Sequence, residues 1–354
     1  MNKSILLVPL VGLATIACNQ VSPDNQKNQT SSQFIDSTDM TNNFYDNTET
    51  YDLPLVDLTI EGEIANPGKV DFSSLTKHSV IVKETLLDSS GGDRFTGAFR
   101  YDGYSLFDIL EKRVIKKANA EEFNPVIDLY VEVENDKGEK VVFSWGEIYY
   151  PNNLHKILIA SSVSRIVPSK TKELWTLPES SKIVSASDLI TERNISNPVR
   201  ITVRSFPKSF PTVKGLSPLY SEKILLFEGK SQIGEIKSIP ASINKETFNT
   251  IFYGRGKGIH STMPFIGFML KDVLKSNYPS SRENLRSGIV CIAARDGYRS
   301  ALSYSEIFNR NDQQEFLLVK TEEGEDGGLF RMFAAGDFFS DRAVKSVTEV
   351  HLGY

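Results

Sequence analysis

Apolar and polar side chains alternate in short bursts along most of this chain, and stretches of helical period are few. Leu55–Ile60 alternates and stops at Gly62 and Pro67-Gly68, which predicts a strand running into a turn. Val80–Val82 is a second short apolar run. Ser105 stands before Leu106, Ile109 and Leu110, a pattern that predicts a capped helix over Leu106–Lys112 with one apolar face. Ile127–Val133 and Lys140–Phe143 flank Asp136-Lys137-Gly138, a hairpin signal. Ile157–Ala160 and Val199–Val203 complete the set. Short mixed strands with one clear helix per unit predict the α+β class.

The same order returns further along. Residues 99–110, FRYDGYSLFDIL, reappear in degenerate form at 263–274, MPFIGFMLKDVL. Gly62 matches Gly229 at an offset of 229 − 62 = 167, and Asp108 matches Asp272 at 272 − 108 = 164. Ser144–Ile148 (SWGEI) matches Ser303–Ile307 (SYSEI) at 303 − 144 = 159, and Ser185–Arg193 matches Ala334–Arg342 at 342 − 193 = 149. An offset that only shrinks is the mark of one duplicated domain whose second copy lost loop residues. The expected organisation is a first copy over 51–206, a proline-bearing linker over 207–222, and a second copy over 223–354.

The N-terminal region changes the picture of where such a chain works. Lys3, an apolar run from Ile5 to Ala17, and then Cys18 make an export signal of the lipoprotein kind over 1–18, with lipidation expected at Cys18. Residues 19–50 are too polar to bury a core and predict a disordered tether. The expected location is therefore the bacterial cell envelope, exported and lipid-anchored, on the periplasmic or outer-membrane face. A net charge of −5 disfavours nucleic acid as a partner. With Cys18 lipidated, Cys291 has no disulfide partner and predicts a buried strand cysteine.

The order LTIEGEIANPGKV, a Gly/Arg loop, Y-x-G-Y-x-L-x-D-I-L, a D-K-G hairpin, and Asp…Arg before a final strand resembles the molybdopterin-binding domain of the sulfite oxidase fold. Phe265-Ile-Gly267-Phe-x-Leu270-x-Asp272-Val-Leu274 and Arg295-Asp-Gly297-Tyr keep the pattern in the second copy. The resemblance covers roughly 300 residues. It implies two homologous mixed-sheet domains, a molybdopterin cofactor, and a cysteine thiolate on the metal just before the helix. The corresponding stretches here, Glu84–Arg94 and Thr250–His260, contain no cysteine.

What remains in those stretches is basic and glycine-rich. Gly254-Arg255-Gly256-Lys257-Gly258, followed by His260, offers backbone amides and cations to a phosphate, sulfate or carboxylate. Ser90-Gly91-Gly92-Asp93-Arg94 with Arg100 is the weaker version in the first copy. The candidate binding residues are thus Arg255, Lys257, His260, Arg94 and Arg100. No metal site is read, because His78, His155, His260 and His351 lack ligand spacing. Asp188/Arg193 and Asp337/Arg342 either line a site or preserve an ion pair, and the acidic stretch 322–328 reads as a solvated turn.

Two functional expectations follow. The first is an envelope lipoprotein whose degenerate molybdopterin-binding-type domains bind a small anion, a pterin-like ligand or an envelope protein partner without redox catalysis. The alternative is a molybdopterin-dependent oxidoreductase of the sulfite oxidase type with a site that lacks the cysteine ligand.

Overall fold

Strand residues far outnumber helical ones in the computed structural model, which describes residues 48–168, 170–321 and 327–353. The expected signal segment, Cys18, most of the tether and most of the acidic turn lie outside the described residues. The α+β expectation is overturned. Among the described residues strand makes up 42% and helix 12%, and four small sheets stand in a propeller-like ring in place of a two-domain sulfite oxidase fold. The physical reason is the brevity of the apolar helical stripes. Leu106–Glu111, Trp145–Tyr149, Leu270–Leu274, Arg282–Ser287 and Tyr304–Phe308 are the α-helices, each five or six residues long. Helices of that length stand only because tertiary packing holds their apolar faces. The first helix ends at Glu111, and Val114 and Ile115, which could continue its stripe, pair instead with the Ile64–Ala65 backbone.

Local signals act where they were read. Ser105 caps the first helix, its side chain accepting from the Asp108 amide. The hairpin pairs Leu129–Asn135 with Lys140–Ser144, and Gly138 takes the left-handed conformation (φ 79°) that its turn needs. The run at Val80–Val82 is the middle of a longer strand, His78–Leu87, which pairs with Asp93–Ser105.

Two of the sheets share one plan. In the first, the order is Gly68–Lys69, Thr59–Gly62, Pro198–Ser205, Leu129–Asn135, Lys140–Ser144. In the second it is Ser231–Ile236, Ile224–Glu228, Val347–Gly353, Ile289–Ala294, Arg299–Ser303. Each contains one parallel pair, at the strand that closes its half of the chain, and antiparallel pairs elsewhere. The other two sheets correspond in the same way, through Asp93–Ser105 beside Ile157–Arg165 and Phe265–Met269 beside Phe316–Lys320.

A fully buried seam joins the halves. Tyr130 and Val142 from one hairpin meet Ile289, Cys291, Ala293 and Ala301 from the other, and Phe206 and Phe210 of the connecting segment complete the cluster. Arg299, fully buried beneath it, pairs with Asp128 at 3.1 Å and Glu122 at 2.9 Å.

Next to this seam lies a crossed polar network. Ser144 and Ser303 each cap a short helix, accepting from the amides of Glu147 and Glu306. Each serine then donates across the seam to the other half's carboxylate: Ser144 Oγ to Glu306 Oε2 at 2.7 Å, and Ser303 Oγ to Glu147 Oε2 at 2.8 Å. Arg193 grips Glu147 through both terminal nitrogens and Asp188 through Nε and Nη2. Arg342 repeats the arrangement with Glu306 and Asp337. Both guanidinium groups are 1% exposed. Burial pushes the Glu147 carboxyl up, yet the bidentate Arg193 outweighs it and holds the group below its ordinary range. Asp188, Glu306 and Asp337 end above theirs, because burial outweighs the pull of their arginines. The matched Asp…Arg spacings therefore serve paired buried ions.

Candidate functional site

The Gly254–Gly258 loop is the tip of a two-stranded ribbon, Phe252–Gly254 paired with Gly258–Ser261. Gly254 and Gly258 are cross-strand partners, and Gly258 takes a left-handed φ of 74°. Arg255, Gly256 and Lys257 form the exposed turn between them. Arg255 reaches back to Asp341, Nε to Oδ2 3.2 Å. His260 stacks on Phe252 (4.8 Å between centroids) and lies over Gly254, where a Cβ would come within 2.6 Å of its ring.

Tyr253 and Ile259, also cross-strand partners, face a cleft of about 620 Å³. Phe248 and Phe338 supply further apolar wall, and Asn152, Asn249, Gln313 and Gln314 bring side-chain amides. Asn152 belongs to the first half of the chain and the other lining residues to the second. The cleft thus opens on the seam, near where Phe338 N donates to Tyr150 O at 2.8 Å. Gln313 holds a left-handed φ of 57°, a conformation that a non-glycine residue keeps only when its surroundings enforce it.

The predicted residues do not converge on one point. Arg255 and Lys257 stand at the tip of the ribbon whose body lines the cleft, while His260 packs on Phe252 and is not a lining residue. Arg94 and Arg100 stay on the hairpin of the first half. Arg100 bonds Asp102 at 2.9 Å and Ser79 at 3.2 Å. The glycine loop preceding Arg94 cannot act as an anion cradle. Asp88 Oδ1 already accepts from the amides of Ser90 and Gly92, at 2.8 and 2.9 Å, and a second anion there would meet that carboxylate.

A second cluster joins residues that sequence spacing keeps apart. His78 Nε2 lies 2.7 Å from Asp108 Oδ2, and His155 Nδ1 lies 3.8 Å from the same oxygen. The two imidazoles stack at 3.7 Å with planes 6° apart, and Phe107 meets His155 edge-on. Burial, and then the neighbouring His78, lower the His155 pKa below its ordinary value. Ser105 Oγ is 3.1 Å from the same Nδ1. This is not a nucleophile relay, because serine and carboxylate share one ring nitrogen and a relay needs them on opposite ones. Ser105 is also fully buried as a helix cap. The signal that could have exposed the cluster is topological: two histidines at the starts of strands that flank the capped helix.

Cys291 is fully buried in Ile289–Ala294, and burial raises its thiol pKa, so it offers no thiolate to a ligand. Among the described residues no helix is long and apolar enough to cross a membrane. Neither a scan against protein-family models nor a search of curated proteins finds a match for the chain, which leaves its own geometry as the basis for assigning a role.

Proposed function

We propose that the chain is an envelope lipoprotein that binds a small anionic, pterin-like molecule without redox catalysis. The observation that carries this reading is the seam cleft at the foot of the Arg255/Lys257 ribbon. Its volume lies in the range of sites for small organic molecules. Phe248, Tyr253 and Phe338 offer ring faces to a flat heterocycle. The amides of Asn152, Asn249, Gln313 and Gln314 both donate and accept, as the alternating edge of a pterin demands. Arg255 and Lys257 suit a phosphate or carboxylate tail.

The test is titration of the purified chain with a pterin monophosphate, read by pterin fluorescence, beside inorganic phosphate. Saturable quenching by the pterin that Phe338→Ala abolishes, and that Arg255→Ala with Lys257→Ala weakens, is the expected result. Absence of quenching, or quenching indifferent to these substitutions, refutes the reading.

A second reading, docking of an envelope protein, is favoured by one observation. Ile251, Ile259, Met263 and Ile266 are all exposed within one stretch of the second half, and the exposed Phe338 packs against Tyr253 of that stretch. Co-purification from envelope extract that is lost with Met263→Asp and Ile266→Asp would distinguish it.

A further inference from the structure

We propose that His78, Asp108 and His155 bind one divalent transition-metal ion of the zinc type, at a site separate from the cleft. One potential ligand atom from each residue lies within 4.8 Å of the others. Two imidazole nitrogens and a carboxylate oxygen form a donor set that suits zinc and its neighbours and disfavours the hard ions calcium and magnesium. Three protein ligands leave a coordination position for water or an oxyanion, the arrangement of an open site.

The ligands are built into the fold. His78 begins the strand His78–Leu87, Asp108 sits in the first turn of Leu106–Glu111, and His155 precedes the strand Ile157–Arg165. Asp108 is fixed because its amide donates to the capping Ser105 Oγ at 3.1 Å. His78 Nε2 lies 2.7 Å from Asp108 Oδ2 and His155 Nδ1 3.8 Å from it, and the parallel rings splay apart for both lone pairs to meet one ion. A metal cation relieves the crowding by taking both lone pairs and the carboxylate charge together. The side chains remain 24%, 19% and 35% exposed, which leaves a route for an ion from solvent. Among the described residues the second half has no counterpart. Asp272, the match of Asp108, pairs instead with Lys275 at 2.9 Å.

The experiment uses the full chain purified without a histidine tag and stripped with chelator. It is titrated with Zn²⁺ by calorimetry and with Co²⁺ by visible absorption. One equivalent of each, with the intense band of four-coordinate Co²⁺, is expected. Asp108→Asn and His155→Gln should each weaken binding by more than the roughly 10–100-fold that loss of an outer-shell partner costs. The exposed His260→Ala should change nothing. Circular dichroism identifies the folded variants, and His78→Gln replaces any that does not fold. No binding by the parent chain, or undiminished one-to-one binding in folded ligand variants, overturns the proposal.

Discussion

Replacing Arg193 by methionine tests the crossed network most directly. The side chain keeps its apolar stem beside Phe143, over whose ring the guanidinium now sits at 4.3 Å, but loses every donor. Glu147 and Asp188, 6% and 1% exposed, are then left without their cation. Ser303 still donates to Glu147 and Ser185 to Asp188, so each carboxylate keeps one neutral donor. Removing one member of a buried ion pair costs about 3–5 kcal/mol. At roughly 2–4 °C per kcal/mol for a unit of this size, the melting temperature should fall by roughly 6–20 °C. The deficit should also depend on pH. Without the arginine, burial raises both folded-state carboxyl pKa values above their unfolded ones, and such groups favour the folded state only once protonated. The gap between parent and variant should therefore narrow as pH is lowered from 8 towards 5. Differential scanning calorimetry across that range measures it. A shift below about 2 °C, or a gap that does not change with pH, would show that the carboxylates are hydrated and the network is not a sealed one.

Three further outcomes are expected. Gly146→Ala should destabilise by about 1–3 kcal/mol, because a Cβ there would lie 2.3 Å from Arg342 Cδ; chemical denaturation reads the change in midpoint. For Asp312, burial acts to raise the pKa, but Arg310 and Lys156 outweigh it and bring the group to about 2. Its contribution, about 2 kcal/mol at neutral pH, is present above the unfolded value near 3.8 and fades as pH falls towards 2; Asp312→Asn should cost stability at pH 7 and nothing at pH 2. Cys18→Ser should move the exported protein from the detergent phase to the aqueous phase in a partition assay, and retention in detergent would refute lipidation at that residue.

Local chemistry was legible where one residue decides it. Ser105, the Asp136-Lys137-Gly138 turn and the burial of Cys291 all follow from short-range rules. The matched serines, glutamates, aspartates and arginines were visible as a repeat, yet periodicity cannot show that each serine serves the opposite copy's glutamate. Fold class is not legible in the sequence, because apolar starts such as Leu106–Leu110 carry a helical pattern although each helix ends after a turn or two. The histidine cluster was hidden for a different reason. His78 and His155 lie 30 and 47 residues from Asp108, and only strand pairing between Asp93–Ser105 and its two neighbours brings them to the helix. The cleft likewise draws on four separate segments, and no single stretch announces it.

The exchange of serine hydroxyls between the two halves makes each the other's obligate template. Expressed alone, either half would carry a naked apolar flank and a glutamate missing its second donor, and would collect in inclusion bodies. Mixed during refolding, the two fragments should recover one another, and lineages of this chain can change one cap only in step with its distant counterpart.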